Sequence, residues 1–542
     1  LEQPFLGIRR RHPGGLVAGP QPFGPEATQG LSREEAMPLA PRERLWVIIA
    51  TLLSLFLSAL DTLVMSAAMP TIVSEMGGLH LYSWVFSSYL LSRAVALPVF
   101  GKLADLYPNR TLYTISVLIF IIGSTLAGLS RSMLQLTVFR VVQGIGAGGI
   151  FALVYIVLAD ISKPGDRGRM MSQASLVWGL ASVLGPTCGG FIVAYFSWRW
   201  IFFINIPLGA ASLWGIVMFL RETREKRMRV AIDYWGIVLM TTAILSLLTA
   251  FLLAGRDYTW HSPLVVGLFS AAAVSGLGFY FAERRASDPL IPMGFFRIPA
   301  FSAGNAAVLM SSFSVFSLSA FTPLFVQGAM GRSPVELGVA MLFLSLGWSA
   351  GALVCGRTVR PGKEKVFAVA GALLMILGCA LMVRFSAATT LAACSVALGL
   401  AGAGMGFVSI STLLIVQNSI GGEHLGVATS SHQFTRTLGG TVGVGVCGSL
   451  MTAVFSARLD ILADSIHSAG LTQSVSGQIR QNYENLFKPD VQALLSPELR
   501  DLLHASLGQS VVYVFWTALA AALACLAVGL LLPSTAPRIS PK

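Results

Sequence analysis

Polar residues interrupt this chain at long intervals, and between the interruptions lie apolar runs of about twenty residues, the length of a membrane-spanning helix. A helix rises ~1.5 Å per residue and the hydrocarbon layer is ~30 Å thick, so each run predicts one span. The runs fall at 45–68, 82–102, 111–130, 133–159, 168–194, 199–220, 233–254, 263–284, 300–327, 335–356, 365–384, 387–416, 425–455 and 509–533. The expected fold is an all-α polytopic membrane protein with fourteen transmembrane helices, embedded in a lipid bilayer. An even number of spans places both termini on one side.

Composition supports this reading. Of 542 residues, 54% are hydrophobic and 11% charged, against roughly 25% charged in an ordinary soluble domain. A net charge of +12 raises the question of nucleic acid, but no basic run is interleaved with aromatics, so no nucleic-acid partner is expected. The positive residues sit instead in alternate connectors: Lys102 and Arg110; Lys163, Arg167 and Arg169; Arg221 to Arg229; Arg284, Arg285 and Arg297; Arg357, Arg360, Lys363 and Lys365. The opposite short connectors hold only Arg131, Arg199, Arg256, Arg332 and Arg384. This bias predicts a multi-pass protein of a cytoplasmic membrane with both termini cytoplasmic. Cys188, Cys355, Cys379, Cys394, Cys447 and Cys525 all lie in apolar segments without a CxxC pair, so neither a disulfide framework nor a metal site is indicated. No H-E-x-x-H, G-x-S-x-G or P-loop pattern occurs, and an enzyme or a cofactor is not expected.

Two polar regions stand outside the runs. Residues 1–44, rich in Pro, Gly and Arg, read as a disordered cytoplasmic arm, and 534–542 as a cytoplasmic tail. Residues 456–508 fall on the extracytoplasmic side. There "SPELRDLLHASL" predicts a capped amphipathic helix, with Ser496 as cap and Leu499, Leu502 and Leu503 on one side. Such a helix serves either as a cover over the outer ends of the spans or as a docking site for an extracytoplasmic partner.

Inside the spans, "GIGAGG" and "GVGVCG" satisfy a dinucleotide-binding pattern but lack the preceding strand it needs. Gly144 and Gly148, four apart, read as a surface for close helix packing. Asp61 is the one acidic residue well inside a span; Asp105, Asp160, Asp233, Glu283 and Glu336 fall at span ends. A charge there costs at least ~2.5–3.5 kcal/mol, which predicts a function and a partner. Counted from the outer ends of their spans, Asp61 and Arg140 lie at equal depth, ~10 Å, with Arg93 somewhat deeper. An aspartate beside two arginines and able to reach water is a candidate proton site; a static ion pair that locks the helices is the alternative.

Several segments resemble a known family. "GKLADLYPNR" (Gly101 to Arg110) is similar to the loop motif between helices 2 and 3 of the major facilitator superfamily, with Pro108 where that motif normally has glycine. "RVVQGIGAGG" (Arg140 to Gly149) resembles its helix 4 motif, and "GPTCGG" (Gly185 to Gly190) the helix 5 motif of proton-driven exporters. "LDTLVMSAAMP" and "WRWIFFINIP" resemble signatures of the fourteen-helix drug:proton antiporter branch. The resemblance implies a six-helix bundle at 45–220, two inserted helices at 233–284 and a second six-helix bundle at 300–533, rocking about a central cavity. It implies proton coupling at Asp61 and Arg140, a cytoplasmic latch formed by Asp105 and Arg110, and close packing of Gly185, Pro186, Gly189 and Gly190 against the other bundle. "GRTVRPGK" at Gly356 repeats the position of Gly101 in the second half, with Arg360 in the place of Asp105.

Polar residues in the C-terminal spans (Asn305, Gln327, Gln417, His432, Gln433 and Arg436) are candidates for the substrate cavity, with Phe313, Phe316 and Phe434 as apolar wall. His432 and Arg436, four apart, share one helical face. Interhelical packing is the alternative for each. The implied function is export of amphipathic toxic small molecules in exchange for protons; export of a lipid or anionic metabolite, or a non-transporting receptor on the same fold, are the other readings. One interior acid against Arg93, Arg140 and Arg436 predicts that divalent cations are poor substrates.

Overall fold

The computed structural model describes residues 40–76, 81–162, 166–221, 233–254, 258–286, 289, 291–386, 388–420, 424–468 and 497–533. The expected arm at 1–44, up to residue 39, and the expected tail at 534–542 lie outside the described residues. Every long element is a helix: α1 (Pro41–Met76), α2 (Tyr82–Leu106), α3 (Asn109–Gly128), α4 (Met133–Asp160), α5 (Arg167–Tyr195), the short α6 (Trp200–Phe203) with α7 (Asn205–Phe219), α8 (Tyr234–Leu253), α9 (Pro263–Arg285), α10 (Pro299–Pro323), α11 (Pro334–Thr358), α12 (Glu364–Met382), α13 (Leu391–Ser419), α14 (Leu425–Ser468) and α15 (Pro497–Leu531). Fourteen of these segments, α6 and α7 counted together, are long and apolar enough to cross a membrane.

Local chemistry sets many of the ends. Ser132, Asp233, Ser262 and Thr390 each accept a first-turn backbone N–H, and Ser333 with Glu336 forms a reciprocal capping box. Past Pro323, which has no amide donor, α10 continues as a π-type turn over Leu324–Ala329. Gly362, with φ 86°, makes the turn between α11 and α12.

α1–α7 and α10–α15 form two six-span bundles; one apolar core lies within the second, and another runs from the first across the seam to Ala352, Cys355, Ile410 and Leu413. Their tightest pairings are equivalent. α2 lies on α4 where a side chain on Gly144 would strike Tyr89 and Ser92, and one on Gly148 would strike Ala96. α11 lies on α13 with Gly351 against Ala403 and Gly402 against Leu344. Small residues let backbones approach where lipid provides no hydrophobic drive. The α8–α9 hairpin is the addition. α8 touches both α2 and α14, and Lys102 of α2 donates to the Pro289 carbonyl just past α9 at 2.8 Å.

Two crossings join the bundles, α2 with α14 and α5 with α11. Gly101 faces Ser430 at the first, and Gly356 faces Gly168 and Ser172 at the second, so the two repeat-related glycines occupy equivalent junctions. The Gly356 Cβ position falls on a backbone oxygen, which cannot swing aside as a side chain can. Gly356→Ala is therefore expected to prevent full closure of this junction. The check is a bis-maleimide crosslink between cysteines placed at Arg167 and Asn418, long enough to replace the reach of the arginine side chain that meets Asn418 at 3.3 Å: its yield should fall several-fold.

Three expected boundaries move. α1 runs to Met76 rather than 68, its end held by Glu75, which accepts from the Trp198 indole at 2.8 Å. Residues 497–508 are the opening turns of α15, continuous with its span, and not a separate surface helix; α14 likewise runs on to Ser468. Helical hydrogen bonding continues where the apolar run stops. Ser496 and 469–495 lie outside the described residues.

Candidate functional site

Asp61 sits at the centre of the first bundle. Its Oδ2 accepts from Arg140 Nη1 at 2.6 Å, and its Oδ1 from Gln143 Nε2 at 2.9 Å and Asn205 Nδ2 at 3.1 Å. Arg140 Nη1 also donates to Gln143 Oε1 at 2.9 Å. Asn205 donates on to the Ser124 hydroxyl at 2.9 Å, which donates to the Phe202 carbonyl. The Arg140 guanidinium lies 4.1 Å from the Tyr89 ring centre. Three helices, α1, α4 and α7, thus meet at one carboxylate, with Ser124 of α3 behind Asn205, and the donors match an ionised carboxylate rather than an acid.

The centre differs from expectation in access. Asp61 is 2% exposed and Arg140 1%, so in this conformation water does not reach the carboxylate. A proton can arrive only after the helices move. The pairing itself occurs although the end of α1 lies further from Asp61 than the depth count assumed, because the count used the wrong helix end.

Arg93 touches this centre only at its edge, through the Tyr89 hydroxyl, and does not pair with Asp61. Its guanidinium lies 4.3 Å from the Phe151 ring centre and 5.5 Å from that of Trp178. Phe151 is three turns along α4 from Arg140, ~16 Å. Arg436 of α14 reaches the same ring, 5.2 Å from the Phe151 centre and 5.9 Å from that of Trp348.

The remaining C-terminal candidates do not converge. His432 Nε2 pairs with Thr412 of α13 at 2.9 Å while its Nδ1 is unpartnered. Gln417 donates to Thr429 at 3.0 Å, and Asn305 to the Phe301 carbonyl of its own helix at 2.9 Å. Gln433 is buried with an unpartnered Oε1; Gln327 is exposed in the π-type turn. Phe434 packs among Leu91, Met240 and Ile244, and Phe313 against the second core. Phe316 meets Trp348 edge to face at 6.0 Å.

At the bundle junction, Asp105 accepts from the backbone N–H of Gly426 at 2.7 Å and Val427 at 2.9 Å. A carboxylate on the first turn of α14 satisfies two orphan donors and the positive end of the helix dipole. Arg110 is exposed at the start of α3, and Arg360, in the equivalent place of the second half, is exposed as well. Of the helix 5 motif, Gly185 lies against Leu63 of α1 within its own bundle, Gly189 is buried, and nothing stands within 4 Å of a Cβ on Gly190. Close α5 contact with the other bundle is made by Gly168 and Gly179, the latter against Ser349. The side chain of Pro186 lies outside the described ones.

Sequence reading missed Gln143, Asn205, Ser124 and Tyr89 around Asp61, and Phe151, Trp178 and Trp348 around the other arginines. Gln143 and Asn205 carried a signal, as amides within apolar runs and inside segments already singled out.

Comparison with known proteins gives a consistent result. The family model of the Major Facilitator Superfamily matches residues 51–444. The chain is 32% identical over 491 residues to the multidrug transporter protein MdtP of Bacillus subtilis (strain 168), spanning 88% of this chain and 91% of that one. It is 29% identical over 475 residues to multidrug resistance protein 3 of the same organism, spanning 88% and 92%. Among solved structures, that of the human organic anion transporter MFSD10 superposes with a TM-score of 0.59 at 16% identity, over 88% of this chain and all of that one, a likeness of fold.

Proposed function

Because the chain belongs to the Major Facilitator Superfamily, we propose that it is a proton-coupled antiporter that exports amphipathic compounds across a cytoplasmic membrane by alternating access. The observation that carries this is the buried Asp61–Arg140 pair, one titratable group at which three helices of one bundle meet. The names of the two Bacillus relatives support a drug substrate. Both termini and the α2–α3 connector are cytoplasmic in this reading, so the joined crossings close the cytoplasmic end. Asp61 is then ionised in the state that releases substrate outward. A proton entering from outside takes Asp61 from Arg140, Gln143 and Asn205, loosens α1 from α4 and α7, and permits the return. Substrate bound from the cytoplasm favours the ionised form again and expels the proton inward. Tight burial of the pair in one state and its disruption in the other is what couples the two ligands.

The test is uptake into proteoliposomes with an imposed pH gradient, screened against cationic, neutral and anionic amphiphiles. Accumulation against a concentration gradient that an uncoupler abolishes is expected; its absence for every class would overturn the reading.

Asp105 fits a latch for the closed state. Asp105→Asn keeps the shape and loses the charge–dipole attraction, worth about 1–2 kcal/mol in a partly buried geometry. The closed population should fall roughly 5–30-fold against the open one. Spin labels at Tyr107 and Asn418, both exposed, would report this as a shift toward the longer distance; an unchanged distribution would remove Asp105 from the latch.

A further inference from the structure

Arg93 and Arg436 are two cations from opposite bundles that share one aromatic ring. Arg93 rises from α2 and Arg436 from α14, and both guanidinium groups lie against Phe151 of α4. Among the described residues, neither pairs with a carboxylate; the nearest-lying interior acid, Asp61, is already matched to Arg140. Aromatic faces offset part of the charge, but rings have no net charge and two guanidinium groups on one ring repel each other. A third donor stands beside them: the Trp178 indole Nε1 is buried without an acceptor while its ring lies 5.5 Å from Arg93. Trp348 flanks Arg436 and in turn meets Phe316. The group therefore holds excess N–H donors, excess positive charge and flat apolar walls, all at the seam between the bundles. Beyond the Tyr89 hydroxyl, which pairs with Arg93, what it lacks among the described residues is an acceptor.

We propose that this seam binds the oxyanion of an aromatic amphiphile, a carboxylate or sulfonate, with Arg93 and Arg436 clamping the head group and Trp178, Trp348 and Phe151 facing the ring. This names the substrate class for the transport reading above and rests on it. A guanidinium offers a planar fork that takes two oxygens of such a group, so one anion satisfies both arginines and the indole together. Because the arginines belong to different bundles, the anion also removes the repulsion that opposes bringing them together. Substrate charge and bundle closure are thereby linked: a cation in the seam adds to the repulsion, and a neutral compound leaves it unchanged. Unlike Asp61, whose donors all come from its own bundle, this cluster has no carboxylate of the protein to complete it among the described residues.

The experiment is equilibrium binding to the detergent-solubilised full chain, with no gradient, using naphthalenesulfonate, naphthylmethanol and naphthylmethyl-trimethylammonium as probes of one shape and three charges. The native protein should bind the sulfonate at least ~10-fold more tightly than the ammonium probe. Arg93→Gln and Arg436→Gln should each weaken sulfonate binding ~10-fold and leave naphthylmethanol within about 2-fold, which also shows that the variants are folded. Arg436→Lys should retain more sulfonate affinity than Arg436→Gln, and Trp178→Phe, which removes only the indole donor and some ring area, should lose about 3-fold. Equal or tighter binding of the ammonium probe by the native protein would overturn the proposal. So would an equal loss of all three probes in both arginine variants, the mark of a purely structural pair. Selective sulfonate binding without gradient-driven uptake would uphold the site and defeat the transport reading instead.

Discussion

Asp61→Asn is expected to abolish concentrative export while leaving a folded protein that still binds substrate. The amide keeps the size and planarity of the carboxylate, so its oxygen still accepts from Arg140 and one bond to Gln143 or Asn205 survives. What disappears is titration. With no group to exchange a proton between the two states, substrate movement is no longer tied to the pH gradient, and accumulation at steady state should fall to equal concentrations on both sides. Downhill exchange of labelled for unlabelled substrate should continue, because it requires only the conformational cycle. A variant that still concentrates substrate using the pH gradient alone would remove Asp61 from the coupling role.

Arg140→Gln should have the second largest effect, on stability. The pair is 1% exposed on both side chains, and removing one partner of a buried ion pair costs about 3–5 kcal/mol because the other charge is left uncompensated. Gln143 and Asn205 supply neutral donors only. Combining Arg140→Gln with Asp61→Asn removes both charges and should restore most of the lost stability without restoring coupling, a non-additivity that thermal unfolding in detergent would read directly. Additive losses in the double variant would mean that the two residues are not the energetic unit their 2.6 Å contact implies.

How far such a site can be anticipated depends on what a residue costs where it sits. Asp61 stood out because an ionised carboxylate in an apolar run is expensive, and the expense demanded a cation, which Arg140 supplied. Gln143 and Asn205 are cheaper to bury as amides, so they drew no notice although they complete the same carboxylate. Arg93 was legible as a functional charge but not in its partner. Its contacts are the rings of Phe151 and Trp178 and the Tyr89 hydroxyl, which no local pattern marks, and no acid is paired with it among the described residues. The fourteen spans were legible because length and apolarity decide them, whereas the ends of α1, α14 and α15 were not. Backbone hydrogen bonding carries a helix past the membrane boundary wherever the following residues tolerate it, as "ARLDILADSIHS" does at the end of α14. The glycines of the helix 5 motif illustrate a further limit. The motif placed α5 in a tight contact, but the glycines that meet the other bundle are Gly168 and Gly179, earlier on the helix. Which of several glycines abuts a neighbour depends on helix rotation and crossing point, and sequence spacing fixes neither.

The most direct test of proton coupling follows both ligands at once. The native protein is reconstituted in vesicles that are acidic inside and carry a trapped pH-sensitive dye, and an amphiphile is added outside. The internal pH should rise as the amphiphile accumulates inside above its external concentration, and both signals should vanish together in Asp61→Asn. Accumulation with no change in internal pH, or a pH change of equal size in Asp61→Asn, would contradict coupling through this carboxylate.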